Sequence, residues 1–109
     1  MTTTPEPLDP LDLKARLDQG EDLVLLDVRE AEELAICKLP GVVHVPLSEL
    51  SVRHVELDPS APTVVICHHG VRSAHAAMAL AGLDFDRLYN LTGGVDRWAA
   101  EVDAEMPRY

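Results

Sequence analysis

Leu23-Val24-Leu25-Leu26 shows no alternation of apolar and polar residues, the pattern of a strand buried on both faces of a parallel sheet. Thr63-Val64-Val65-Ile66 is apolar and β-branched nearly throughout and predicts a second buried strand. Val42, Val43 and Val45, punctuated by Pro46, predict a third, and Leu88-Tyr89-Asn90-Leu91 a fourth. Helical patterns fall between them. Asp9-Pro10 reads as an N-cap followed by proline in the first turn, with Asp12 near the positive helix end, Leu11, Leu13 and Leu17 near helical spacing, and Gly20 as the stop. Glu30 to Ile36 predicts a short helix ended before Pro40-Gly41, and a further helix is expected around Ser48 to Val52. Asp58-Pro59-Ser60-Ala61-Pro62 is a turn. Ser73 to Ala81 predicts an alanine-rich helix with Ala74, Ala77, Met78 and Ala81 on one face, closed by Gly82. Gly93-Gly94 makes a tight turn into a last helix, with Trp98 as a core anchor.

Strands and helices thus alternate, which predicts an α/β fold: a mostly parallel sheet of four to five strands between two helical layers. Residues 1–8 read as a flexible lead-in and 9–109 as a single domain. A chain of 109 residues buries roughly two-thirds of its unfolded surface, enough for one modest core. With aromatics at 4%, that core must be aliphatic.

Nine basic against nineteen acidic residues give a net charge of −10, a field that repels nucleic acid and anionic membranes. It also repels small anions, so an anion site must be built locally, from backbone N–H groups and a few arginines. Two cysteines do not make a disulfide framework. Met1 to Pro7 has no basic or apolar stretch of a signal peptide, and no apolar run reaches membrane-spanning length. The expectation is a soluble cytoplasmic protein with reduced thiols.

The chemistry concentrates in Cys67-His68-His69-Gly70-Val71-Arg72-Ser73, between a buried strand and a helix. Open α/β sheets bind ligands at that end of their strands. A tight loop feeding a helix N-terminus turns backbone N–H groups inward and makes a concave anion site. Such surroundings favour thiolate over thiol. Gly70 supplies the backbone freedom of a sharp curl, and Arg72 a permanent charge with a planar fork for an oxyanion. A carboxylate near Arg72 is its alternative partner. The bland reading of Cys67, a small buried apolar residue, competes with this one.

These residues resemble the active-site loop of single-domain rhodaneses, and other segments match in order. Asp27-Val28-Arg29-Glu30 resembles the family's DVRE segment, Leu39-Pro40-Gly41-Val42-Val43-His44-Val45-Pro46 its IPGAIHIP segment, and Leu91-Thr92-Gly93-Gly94-Val95-Asp96-Arg97-Trp98 its LxGGxxxW ending. The resemblance runs from about Pro10 to Trp98 and implies the small three-layer rhodanese fold. It also implies a sulfurtransferase in which Cys67 takes a sulfane sulfur from a donor such as thiosulfate and passes it to cyanide or a thiol. Residues His68 to Arg72 then form the cradle around the persulfide, a case of covalent catalysis stabilised by preorganised dipoles. Four residues separate Cys67 from Arg72, where cysteine-dependent phosphatases have five, which favours sulfur transfer over dephosphorylation. Cys37-Lys38-Leu39-Pro40 departs from the family's Gly-His-Ile-Pro and is similar to rhodanese modules fused to adenylating enzymes. That variant hints at a protein sulfur acceptor in cofactor or tRNA thiolation. A docking module without catalysis is the rival reading, and the retained Cys67 counts against it.

Asp27 and Arg29 read as loop support, an ion pair tying the strand end to the loop, and Ser73 joins them. His68 and His69 suggest a metal site with Cys67, but adjacent side chains usually diverge and no second cluster has ligand spacing, so no metal or cofactor is expected. His75 falls on the solvent side of its helix. Cys37 reads as a small buried residue, with a resolving thiol as the alternative.

Overall fold

Residues 3–109 are described by the structure, a computed structural model. The central run forms β4 (Thr63–Ile66), buried at every position. The others form β2 (Val24–Asp27), β3 (Val43–His44) and β5 (Leu88–Leu91). A further strand, β1 (Glu6–Leu8), completes a sheet in the order β1-β5-β4-β2-β3, with every neighbouring pair parallel.

That edge strand corrects the expected lead-in. Glu6, Pro7 and Leu8 lie opposite Tyr89, Asn90 and Leu91, and Leu8 is buried. Three residues carry no periodicity, and Pro7 argues against a central strand, but an edge strand tolerates the missing N–H. Met1 and Thr2, the start of that lead-in, lie outside the described residues.

Alternate side chains along each strand enter two separate cores. Leu25, Val64, Ile66 and Leu91 pack with Leu13 of α1 (Pro10–Asp18) and with Val95, Trp98 and Ala99 of α5 (Gly94–Glu101). Leu26, Val65 and Leu88 face the other way, onto Leu50 of α3 (Leu50–Arg53) and the alanine-rich helix α4 (Val71–Ala81). This is the three-layer α/β arrangement that the alternating pattern predicts, with Trp98 in the core. The short helix α2 (Ala31–Ile36) buries none of its own residues; a capping box between Glu30 and Glu33 starts it.

Three helical details differ from expectation. In α4 the buried stripe is Ser73, Ala76, Ala77, Leu80 and Ala81, while Met78 is 62% exposed. A serine on the buried face rotates the stripe away from the one that Met78 suggests. The segment expected as one helix around Ser48 to Val52 is a one-turn α3 between 3₁₀ turns at Leu47–Glu49 and His54–Glu56. In α1, Leu11 faces solvent while Leu13 is fully buried.

Candidate functional site

In an all-parallel sheet every strand ends at the same edge, so Asp27, Ile66 and Leu91 deliver their following segments to one place. Asp27 lies opposite Ile66, and the Val28 N–H donates to the Ile66 carbonyl at 3.0 Å. Cys67 follows directly, its side chain on the α4 side of the sheet.

The chain then curls tightly. Gly70 sits at φ 101°, a conformation that disfavours any side chain, and caps the start of α4. The curl brings its N–H to the Cys67 sulfur, donating to Sγ at 3.0 Å. Ser73, one turn into the helix, places Oγ 3.2 Å from Sγ. The same hydroxyl donates to Asn90 Oδ1 at 2.5 Å, and Asn90 Nδ2 in turn donates to the Gly70 carbonyl at 3.0 Å. Asn90 therefore braces both sides of the curl, and Ser73 can direct its single proton to the amide oxygen or to sulfur. Cys67 is only 1% exposed, yet an amide and a hydroxyl face its sulfur, unlike an inert core thiol.

The outer side of the loop is fixed by α5. The Cys67 carbonyl accepts the Val95 N–H at 2.9 Å, and the His68 carbonyl accepts the Asp96 N–H at 3.1 Å. Gly94 allows this approach: at φ 61° a Cβ there would collide with those same two carbonyls. With the carbonyls turned out to α5, the loop keeps the Gly70 amide for sulfur.

Arg72 takes the alternative partner. Nη1 and Nη2 fork onto Glu33 of α2, each at 2.7 Å. The guanidinium holds the Glu33 carboxyl at about 2, well below the usual carboxylate range, despite the opposing effect of burial. Val71, the other rim residue, is 65% exposed.

Asp27 and Arg29 form an ion pair with neither side chain exposed. Arg29 Nε lies 3.0 Å from Oδ1 and Nη2 2.8 Å from Oδ2. The remaining donors reach the Cys37 carbonyl at 2.7 Å and the Tyr109 hydroxyl at 2.9 Å. The pair thus ties the end of β2 to the end of α2 and to Tyr109, where the sequence suggested a tie to the loop.

The two histidines do not diverge. Their ring centroids are 3.8 Å apart at a tilt of 31°, and His68 is stacked on its other face by Tyr109, also at 3.8 Å and at 9°. Burial, with His69 alongside, pushes the His68 imidazole down. His68, His69 and Asp96 bring one ligating atom each within 4.8 Å of one another. Cys37 is buried in the core on the opposite sheet face from Cys67, which leaves it poorly placed as a resolving thiol.

Three residues with contacts here carried no recognised signal: Glu33, Asn90 and Tyr109. A polar Asn90 within an apolar strand, and the Glu30-x-x-Glu33 capping pattern, were the available clues.

The rhodanese-like domain family matches residues 9–101. YrkF of Bacillus subtilis (strain 168), a candidate sulfur carrier protein, is 38% identical over 90 residues. That match covers 83% of this chain and 49% of YrkF. An adenylyltransferase and sulfurtransferase of Sus scrofa is 36% identical over 124 residues, covering 95% of this chain and 27% of its own length. The chain therefore spans about half or less of these curated relatives. The crystal structure of a rhodanese-related protein from Thermoplasma volcanium superposes with a TM-score of 0.81 at 30% identity, covering 89% of this chain and 93% of that one. No helix among the described residues is long and apolar enough to cross a membrane. On its strand–loop–helix geometry and on these matches, the chain belongs to the rhodanese-like domain family.

Proposed function

We propose that the chain is a sulfurtransferase that carries sulfane sulfur as a persulfide on Cys67. The observation that carries this reading is the Gly70 N–H directed at Sγ from the start of α4, on a loop whose outer carbonyls are held by α5. With thiosulfate as donor, the Cys67 thiolate attacks the outer sulfur, a new S–S bond forms, and the donor's S–S bond breaks to release sulfite. The persulfide anion then gives its terminal sulfur to an acceptor. Cyanide leaves as thiocyanate and regenerates the thiolate, so each step conserves charge and needs no external oxidant.

The residues divide the work. Gly70 and the α4 N-terminus supply dipoles for the anionic sulfur, and Ser73 offers a hydroxyl to the Cys67 sulfur as thiolate or as persulfide. His68, His69 and Val71 shape the mouth, and Arg72, its charge matched by Glu33, ties the loop to α2. Asp27 and Arg29 hold the β2 end. A protein acceptor is the second reading: one similar protein is a candidate sulfur carrier, another a sulfurtransferase joined to an adenylyltransferase, and Cys37-Lys38-Leu39-Pro40 points the same way.

Intact-mass measurement after incubation with thiosulfate tests the proposal. The expected result is a gain of one sulfur atom that cyanide removes and that Cys67→Ser never acquires. No gain with thiosulfate, 3-mercaptopyruvate or a persulfide donor leaves a non-catalytic docking module as the better account.

A further inference from the structure

The loop sulfur is shut away: Cys67 is 1% exposed, so donor and acceptor reach it only after something moves. The segment that follows α5 returns over this edge of the sheet. Met106 anchors it in the core, and Arg108 donates to Asp96 Oδ1 from Nε at 3.2 Å and Nη2 at 3.0 Å. Tyr109 then lays its ring on His68, the residue after the nucleophile. Its hydroxyl accepts from Arg29 at 2.9 Å and donates to Glu33 at 2.8 Å. Glu33 is the carboxylate that holds Arg72, so one phenol joins the β2 end, α2 and both flanks of the loop.

These contacts are those of a movable cover. Tyr109 keeps 40% of its surface in solvent and is held by its stack on His68, by two hydrogen bonds and by the Arg29 guanidinium 5.9 Å from its ring. Burial pushes the phenol up, so it stays a neutral donor to Glu33 across the ordinary pH range. By contrast the parts beneath it are locked: the Cys67 and His68 carbonyls to α5, Gly70 to Asn90. Motion at the mouth falls to the aromatic cover rather than to the cradle.

We propose that Tyr109 is the specificity-determining gate of the Cys67 sulfur, selecting reactants by width. A slim anion such as thiosulfate or cyanide passes with a small displacement of the ring. A bulky thiol requires the Tyr109–Glu33 and Tyr109–Arg29 bonds and the stack on His68 to open together. The sulfur chemistry of this gate rests on the sulfurtransferase reading; the shielding of the thiol does not.

The test compares wild type, Tyr109→Phe and Tyr109→Ala, first by the alkylation rate of Cys67 resolved from Cys37 by peptide mass. Iodoacetamide is the slim probe and an N-arylmaleimide the broad one. Reaction through an opening proceeds in proportion to the open population. Alanine should raise the maleimide rate about tenfold and the iodoacetamide rate less than about threefold. Phenylalanine keeps the stack and loses both hydrogen bonds, so it should fall between. In the second arm, glutathione and cyanide compete for the preformed persulfide, and alanine should shift the ratio toward glutathione by about tenfold. Equal rates in all three proteins overturn the gate, as does a parallel rise for both probes, which marks general loosening. If wild type forms no persulfide while the alkylation ratio changes, the gate stands and the sulfurtransferase reading falls. If the persulfide forms and the ratios stay flat, only the gate falls.

Discussion

Arg29→Met removes the guanidinium from the most completely buried ion pair in the described structure. The Asp27 carboxylate is left fully buried with only the Arg29 backbone N–H, at 3.0 Å, still donating to it. The Cys37 carbonyl loses its 2.7 Å donor and the Tyr109 hydroxyl one of its partners. Breaking a buried pair from one side typically costs about 3–5 kcal/mol, because the remaining charge keeps its desolvation penalty without the compensating attraction. A domain this small has a total stability on the order of 5–15 kcal/mol. At roughly 4 °C per kcal/mol, the melting temperature should fall by about 12–20 °C.

Urea unfolding followed by circular dichroism reads the loss directly, with an unchanged slope showing that compactness is retained. The cause is separated from simple truncation by the double variant Asp27→Asn/Arg29→Met. Removing the stranded charge should restore at least about half of the lost stability, since a neutral amide costs far less to bury. A single-variant loss under about 1 kcal/mol, or a double variant as unstable as the sum of the singles, would refute this account of the pair.

Glu33→Gln should cost about 1–2 kcal/mol at pH 7, a figure reduced for solvent screening because its partner Arg72 is 36% exposed. The wild-type carboxyl is held at about 2, so its contribution is complete above the ordinary carboxylate range. It fades as pH falls from about 4.5 toward 2; urea titrations at pH 7, 5 and 3 should show the gap to Glu33→Gln closing, and a constant gap contradicts the pairing. Mild oxidation should give no intramolecular Cys37–Cys67 disulfide, because the two thiols enter cores on opposite faces of the sheet. Intact mass would show a loss of two hydrogens if that separation did not hold.

The central strands were legible because burial on both faces leaves an uninterrupted apolar run, as in β4, and needs no knowledge of partners. The loop's curl was legible for a similar reason: Cys67, Gly70 and Ser73 lie within seven residues of chain, so the turn that joins them is written locally. The edge strand β1 was not, since Glu6-Pro7-Leu8 becomes a strand only through the exposed side of β5. Polar positions misled most. Ser73 was expected as loop support, but its partner Asn90, 17 residues on, was not foreseen. For Arg72 an oxyanion and a carboxylate were both open, and the choice fell to Glu33, which α2 brings against it from 39 residues away. A polar side chain's role depends on a partner that the fold supplies.

That pairing alters how the site can hold an anion within a protein of net charge −10. Arg29 and Arg72, the arginines singled out in the sequence at this end of the sheet, are each matched by a carboxylate, Asp27 and Glu33, so neither brings a free positive charge to sulfur. What faces the Cys67 sulfur is neutral: the Gly70 amide, the Ser73 hydroxyl and the aligned peptides at the start of α4. Dipoles fixed by the fold need little rearrangement when the anion forms and leave no stranded charge when it departs. Under the proposed sulfurtransferase function, a site that must accept and release sulfur in alternation is better served by such dipoles than by cations. In this reading the arginines act as struts that keep β2, α2 and the loop in register, while backbone N–H groups do the electrostatic work at sulfur.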